Sequence, residues 1–419
     1  MALATELQSR GHHPVIATSE LYREKMQLAG FDFVPLRPNI PPPQEQDAET
    51  MEKVMNPKSG SSFLLNEMLM PFVRDGYEDL LQAVKGADLL LTHPITFAGP
   101  LVAQKTGIPW VSSVLAPCSF MSAYDPPVPP FWQWMRHIEL LGPRFVGAFF
   151  KQVKKYYNNK TYDQFRVELG LPDRGSPVFE GQHSPTLVLA MFSKLFAQPQ
   201  PDWPSSARVT GFAFYDGRNE LEMPPELSGF LDEGTPPIVF TLGSSAVWVA
   251  HDFYRESIAA AKLLERRAVL LIGDERNRFA EPLPPEVIAV GYAPFEALLP
   301  RAAAMVHHGG VGTTSQGLRA GVPTLIVPFA FDQPDNAAHA ERLGTSRTLL
   351  RGKYLAARVA RELRALLTDP TYEQKARAVG RQLREENGAA VACDLIETVL
   401  QDDGARAEPR GELLYAAGN

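Results

Sequence analysis

The sequence predicts an α/β protein built from two doubly wound halves, each a parallel sheet with crossover helices. Short apolar runs alternate with stretches of helical period in both halves, a Pro-, Gly- and acid-rich segment separates the two series, and Gly-rich turns follow strands in the second half. At 419 residues the chain has room for two or three domains of about 100–200 residues. Its 45% hydrophobic and 21% charged residues exclude a mainly disordered protein. With 41 basic against 48 acidic residues the net charge is −7, so no global field attracts nucleic acid. A local anion site at a helix N-terminus needs no net charge. Two cysteines, Cys118 and Cys393, are too few for a disulfide framework and suit a reducing cytoplasm. No run of 18 apolar residues predicts a membrane span, and the opening MALATELQSRGHHP lacks the charged leader and apolar core of a signal peptide.

In order along the first half, Leu3 and Leu7 at helical spacing, stopped by Arg10-Gly11, predict a helix. Val15–Thr18 follows as a strand and Ser19–Ala29 as a helix. The Pro-rich stretch 35–60 reads as a long loop and Ser61–Lys85 as a helix. Ala87–Leu91 is a buried strand, Phe97–Lys105 a helix and Pro109–Val114 a strand. Residues 118–160 break the rhythm with Phe120, Tyr124, Phe131, Trp132, Trp134, Phe145, Phe149, Phe150, Tyr156 and Tyr157. Packing explains most such aromatics; an apolar pocket or a membrane-facing lip is the sharper alternative. Leu187–Ala190 is the last strand of this half.

The second half repeats the pattern. Ile238–Leu242, Ala268–Ile272, Val287–Val290, Ala303–Val306 and Thr324–Val327 read as strands. Asp252–Glu265, Thr314–Ala320 and Asn336–Leu343 read as helices, followed by helical patterns near 355–367 and 371–401 and a polar tail. The boundaries expected are a first half at 1–205, a linker at 206–236, a second half at 237–385, and a C-terminal helix with tail at 386–419.

The chemistry concentrates in Val306-His-His-Gly-Gly-Val-Gly-Thr-Thr-Ser315, which leaves a strand and enters a helix. Glycines allow close backbone approach, and the helix N-terminus offers free N–H groups and a positive dipole, a combination suited to a diphosphate. It matches neither GxxxxGK[ST] nor GxGxxG, and a Gly-rich turn beside a core histidine is the bland reading. Gly243-Ser244-Ser245 and Phe331-Asp332-Gln333-Pro334-Asp335-Asn336 also follow strands. Each alone reads as a cap or turn, but three strand-end loops in one half converge on a nucleotide-diphosphate sugar, because carboxylate and amide together can hold several hydroxyls.

The run GYAPFEALLPRAAAMVHHGGVGTTSQGLRAGVPTLIVPFAFDQPDNAAHAERLG resembles the C-terminal signature of nucleotide-sugar-dependent glycosyltransferases of the GT-B fold. The nearest groups are bacterial sterol- and antibiotic-glucosyltransferase-like enzymes and the rhamnosyltransferase of rhamnolipid synthesis. Weaker similarity runs through ALATELQSRGHHPVIATS, NPKSGSSFLLNEMLMP, QPDWPSSARVTGFAFYDG and PPIVFTLGSSAVWVAHDFY. The resemblance implies an acceptor-binding first half and a donor-binding second half. It implies that His308 and the backbone of Gly310, Gly312 and Thr313 hold the diphosphate, with Thr314 close by and Ser244 opposite. Tyr292 stands where relatives stack an aromatic on the base, Ala293 where backbone groups meet it, and Gln316 where relatives bind ribose. Asp332 and Gln333 are implied to grip the donor sugar. Rim packing is the alternative for Tyr292.

The implied reaction is inverting transfer of a hexose from UDP-hexose or dTDP-rhamnose to a hydroxyl of a lipid or other hydrophobic small molecule. No cofactor or metal is implied, and the chain has no DxD motif or zinc-spaced His/Cys cluster. The expected location is cytoplasmic, with peripheral membrane contact. Relatives open with a strand and a loop that carries the base, whereas this chain opens inside the following helix. A doubly wound half without its first strand lacks its central member. His93, after a strand, is the remaining candidate acid/base residue, with capping as its alternative; His12 and His13 read as surface residues. The rival function is an impaired GT-B protein that binds nucleotide-sugar or assists a partner. A nucleotide-sugar epimerase of similar fold is disfavoured by HHGGxGTT combined with Asp332-Gln333.

Overall fold

Two separate parallel sheets organise the chain, one of seven strands and one of six. The computed structural model describes residues 1–41, 46–130, 133–156, 159–172, 175–215, 222–404 and 413–416. The first sheet contains β1 (Pro14–Thr18), β2 (Asp32–Pro35), β3 (Leu89–Thr92), β4 (Trp110–Val114), β5 (Leu187–Ala190) and β6 (Ala207–Val209). The second contains β7 (Ile238–Thr241), β8 (Ala268–Leu271), β9 (Val287–Val290), β10 (Ala304–His307), β11 (Thr324–Ile326) and β12 (Ser346–Thr348). Every residue of β3, β4, β5, β7, β8 and β10 is buried, as expected when helices cover both faces of a parallel sheet.

The second sheet runs β12-β11-β10-β7-β8-β9. Strand order reverses between β10 and β7, and in open α/β sheets that switch point opens a crevice at the carboxyl ends. The first sheet follows the same scheme only because of one further strand, β13 (Leu413–Ala416), in the order β2-β1-β13-β3-β4-β5-β6. β13 is parallel to both neighbours, with Pro14–Ala17 and Leu89–Thr92 as its register partners. It takes the place of the strand expected to be missing. β13 lies between β1 and β3, so Val15–Thr18, expected to lack its neighbour, has one, drawn from four residues read as polar tail.

Other differences have local causes. β2, β6 and β12 lie at or beside sheet edges, and β6 and β12 are three residues long, so their patterns carry little apolar signal. The stretch read as loop at 35–60 holds a helix, Ala48–Val54, capped by Asp47 accepting the Thr50 N–H. Met51 and Met55 pack with Phe240, Ala246 and Val249 of the second half. The pattern read as one helix at 371–401 is two helices, Pro370–Glu385 and Gly388–Gly404, broken at the extended Glu386. The second returns to the first half, where Ala389, Ala392, Cys393 and Ile396 pack with Leu3 and Leu7. Of the aromatic stretch, Phe120 stacks on Trp203 at 4.1 Å, and Phe150 lies in a small core with Val146 and Met135. Phe131, Trp132 and Tyr157 lie outside the described residues.

Candidate active site

β10 ends at His307, and the chain passes through His308, Gly309 and Gly310 into the helix Val311–Ala320, with Gly310 as N-cap. The first-turn N–H groups of this helix have no intrahelical partner and carry the positive end of its dipole. His308 is almost wholly buried, and burial lowers its pKa to about 4. At neutral pH it is an uncharged imidazole that offers one N–H rather than a positive charge. Gly243, at φ +60°, makes the opposite wall possible: a Cβ there would lie 2.5 Å from His308 Cε1 and 3.2 Å from Thr313 Oγ1. A side chain at this position would push the β7 and β10 loops apart. Trp248 Nε1 donates to the Ser244 carbonyl at 2.8 Å, leaving the Ser244 side chain exposed at the crevice.

Thr313 is half-buried and Gly312 exposed at the helix start, as an anion site requires. Thr314 is different. Its buried hydroxyl donates to the Gly310 carbonyl at 3.0 Å, so the side chain is engaged within the helix. Gln316 is half-buried one turn further on.

The Asp332 loop follows β11 and is shaped by its own side chains. Gln333 Oε1 accepts the Phe329 and Ala330 N–H groups at 2.8 and 3.0 Å. This leaves the Gln333 amide NH₂ as its group for a ligand. Phe331 is held at φ +56°, a left-handed conformation that a bulky residue keeps only when its surroundings enforce it. Asn336, fully buried, donates from Nδ2 to the Gly309 carbonyl at 3.0 Å and to Asp332 Oδ2 at 2.7 Å. One amide thus ties the Asp332 carboxylate to the Gly-rich loop. Asn336 is not among the site residues expected from sequence; the available signal is its position four residues after Asp332 on a helix. Burial raises the Asp332 pKa to about 6, opposed by the Asn336 bond.

All strands of this sheet are parallel, so the carboxyl ends of β7, β9, β10 and β11 share one edge. Asp332, His308 and Ser244 follow neighbouring strands β11, β10 and β7. Tyr292 and Ala293 follow β9, separated from β7 by β8. Tyr292 is 55% exposed, as a platform for a planar ligand must be, whereas Ala293 is 1% exposed.

The first half meets this edge. The turn after β4 carries Cys118, whose thiol is pushed well up by burial and by the fields of Asp335 and Asp332. Asp335 accepts the Val128 N–H at 3.0 Å. Arg342 pairs with Asp125 at 2.7 Å and Arg136 with Glu341 at 2.6 Å, clamping the helix Gln333–Arg342 against Asp125 and the 3-10 helix Gln133–Leu141. These pairs have no local sequence signal. His93 follows β3, at the switch point of the first sheet, where Thr92 pairs with Ala416. Burial lowers its pKa to about 4. Its Nδ1 accepts the Ile95 N–H at 3.4 Å, so in the neutral ring the other nitrogen bears the proton. This contact is the capping role, the alternative for His93, and a ring with its pKa lowered to about 4 is a weak base at neutral pH.

The fold and this strand-end crevice define a GT-B glycosyltransferase. The family described as EryCIII-like, erythromycin biosynthesis protein CIII-like, C-terminal domain, matches residues 256–398. The chain is 31% identical to the O-mycaminosyltylonolide 6-deoxyallosyltransferase of Streptomyces fradiae over 95% of its own length and 93% of that enzyme's. It is 28% identical to the sterol 3-beta-glucosyltransferase of Leptosphaeria maculans, over 97% of this chain but only 28% of that longer protein. The fold matches that of spinosyn rhamnosyltransferase SpnG complexed with thymidine diphosphate, with a TM-score of 0.65 at 18% identity, covering 94% and 95% of the two chains. The chain belongs to the GT-B glycosyltransferases that include the antibiotic and sterol enzymes.

Proposed function

We propose that the chain transfers a hexose from a nucleoside-diphosphate sugar to a hydroxyl of a hydrophobic small molecule, with inversion at the anomeric carbon. The observation that carries the donor reading is the close approach of the Gly243 backbone to His308 and Thr313, where no Cβ would fit, beside the free first-turn N–H groups of the helix Val311–Ala320. The diphosphate would take the N–H groups of Gly312 and Thr313 and the His308 N–H. The Asp332 carboxylate and the Gln333 amide would hold sugar hydroxyls, and Tyr292 would stack on the base, with Ala293 and Gln316 nearby. In the transfer, the acceptor oxygen bonds to the anomeric carbon as the bond to the diphosphate oxygen breaks, and the acceptor proton passes to a base. The leaving charge develops where N–H dipoles already point, which is where electrostatic preorganisation lowers a barrier.

UDP-hexoses and dTDP-sugars both suit this chemistry; the thymidine diphosphate bound to SpnG supports testing the latter. O-mycaminosyltylonolide, a macrolide that already carries one sugar, and sterols are the acceptors named for the two relatives and the classes to test. The lowered pKa of His93, about 4, makes it a weak base and favours a second reading, an impaired protein that binds donor without efficient transfer. One experiment separates them: mass spectrometry of reactions pairing UDP-glucose or dTDP-rhamnose with macrolide and sterol acceptors. A product heavier by one sugar residue supports transfer. Calorimetric donor binding with neither transfer nor hydrolysis supports the impaired reading, and no binding by either donor contradicts both.

A further inference from the structure

We infer that the acceptor half carries a membrane-docking face, formed by the turn at Leu140–Leu141 and the outer stripe of the helix Pro143–Tyr156, that fits an anionic lipid surface. The helix buries Val146 and Phe150. Its opposite side exposes Arg144, Phe145, Ala148, Lys151, Gln152 and Lys155, positions that recur at helical spacing and form one stripe. At its head stand three large apolar side chains turned to solvent, with Leu140 81%, Leu141 57% and Phe145 55% exposed. Scattered exposed apolar residues need no explanation, but three adjoining ones at the tip of a basic stripe do.

Charge names the partner. The helix Pro143–Tyr156 carries four basic side chains and no acidic one, in a chain whose net charge is −7; Lys154 pairs with Glu180, which leaves Arg144, Lys151 and Lys155 as the exposed cations of the stripe. This local reversal opposes the field of the whole protein and is complementary to a negatively charged surface. Apolar side chains beside Lys and Arg are what an interfacial helix uses: the apolar groups enter the acyl boundary while the cations meet anionic headgroups. No described helix is long and apolar enough to cross a membrane, so the contact is peripheral. A protein docked this way would reach acceptors dissolved in the bilayer, though the docking does not depend on which acceptor is used.

The test is flotation of the full chain with vesicles of phosphatidylcholine alone or with about 30% phosphatidylglycerol. Binding to the anionic vesicles, weakened at least tenfold by high salt, is expected. Leu140→Glu with Phe145→Glu, and separately Lys151→Glu with Lys155→Glu, should each lower partition at least tenfold. Their melting temperatures and their transfer to soluble acceptors should stay at wild-type values, because the side chains are exposed. Failure of the wild type to bind, equal binding to neutral vesicles, or undiminished binding by either variant overturns the inference. Capture of an acidic protein or nucleic acid without vesicle binding does so too. Because partition is read without catalysis, a failed transfer assay leaves this result intact.

Discussion

The second sheet is assembled from strands consecutive in the chain, 238–348, whereas the first borrows its central strand from residues 413–416. The halves share one strand order, but only one is complete within its own stretch of sequence. The difference separates what each can lose. The loops proposed to bind the donor all follow strands of the self-contained sheet. The first half depends on a strand and a helix, Gly388–Gly404, that arrive after the second half is finished.

The sharpest way to break this comparison is to remove residues 405–419. β13 has four register pairs on each side. Each buried N–H or C=O left without a partner costs about 1–3 kcal/mol, so losing several approaches a domain's whole stability of about 5–15 kcal/mol. We expect calorimetry to show loss of the first-half transition and transfer to fall by at least about 100-fold, with nucleoside-diphosphate affinity held within a few-fold. A truncated chain that melts and transfers as before would show that the first sheet needs no borrowed strand.

A smaller effect is expected from one residue of the complete half. His308→Ala removes the N–H that we propose meets the leaving diphosphate, and loss of one such donor costs on the order of 10²–10³ in rate. The loss should fall on kcat, measured in steady-state transfer. A variant within a few-fold of wild type would move the diphosphate away from this loop. Smaller again is Tyr292→Ala. A ring contact of this kind is worth about 0.5–1.5 kcal/mol, so nucleotide affinity should weaken up to about tenfold in titration calorimetry, with melting unchanged for a side chain 55% exposed. A shifted melting temperature with unaltered affinity would make Tyr292 a packing residue of the rim.

The same contrast explains what is legible in the sequence. His308, Gly310, Thr313 and Asp332 sit on turns whose residues are adjacent in the chain, so pattern and position bring them out together. Thr314 and Gln333 stand out in the sequence, but their geometry does not, since the Gly310 carbonyl and the Phe329 and Ala330 N–H groups claim part of their bonding capacity. Asn336 is hidden because its partner, the Gly309 carbonyl, lies 27 residues away in sequence. β13 is hidden because four residues carry no period, and its neighbours lie at the opposite end of the chain. The clamp of Asp125 and Arg136 on the helix Gln333–Arg342 likewise exists only after both halves have folded.

The most direct test of the donor site is calorimetric titration of wild type and Asp332→Asn with UDP and UDP-glucose, and with dTDP and dTDP-rhamnose, across a pH range spanning the Asp332 carboxyl. That carboxyl stands at about 6 in the fold against an ordinary 3.8. Its contribution to folding is therefore fully present below the ordinary value and lost as pH rises through about 6. Sugar binding should run the other way, because the ionised carboxylate accepts hydroxyl hydrogen bonds more strongly. The added affinity of the sugar nucleotide over the free diphosphate is expected to grow as pH rises through about 6. In Asp332→Asn that increment should shrink and lose its pH dependence, while affinity for the free diphosphate is kept. Equal losses for both ligands, or a sugar increment indifferent to pH in wild type, would contradict the assignment of Asp332 to the donor sugar.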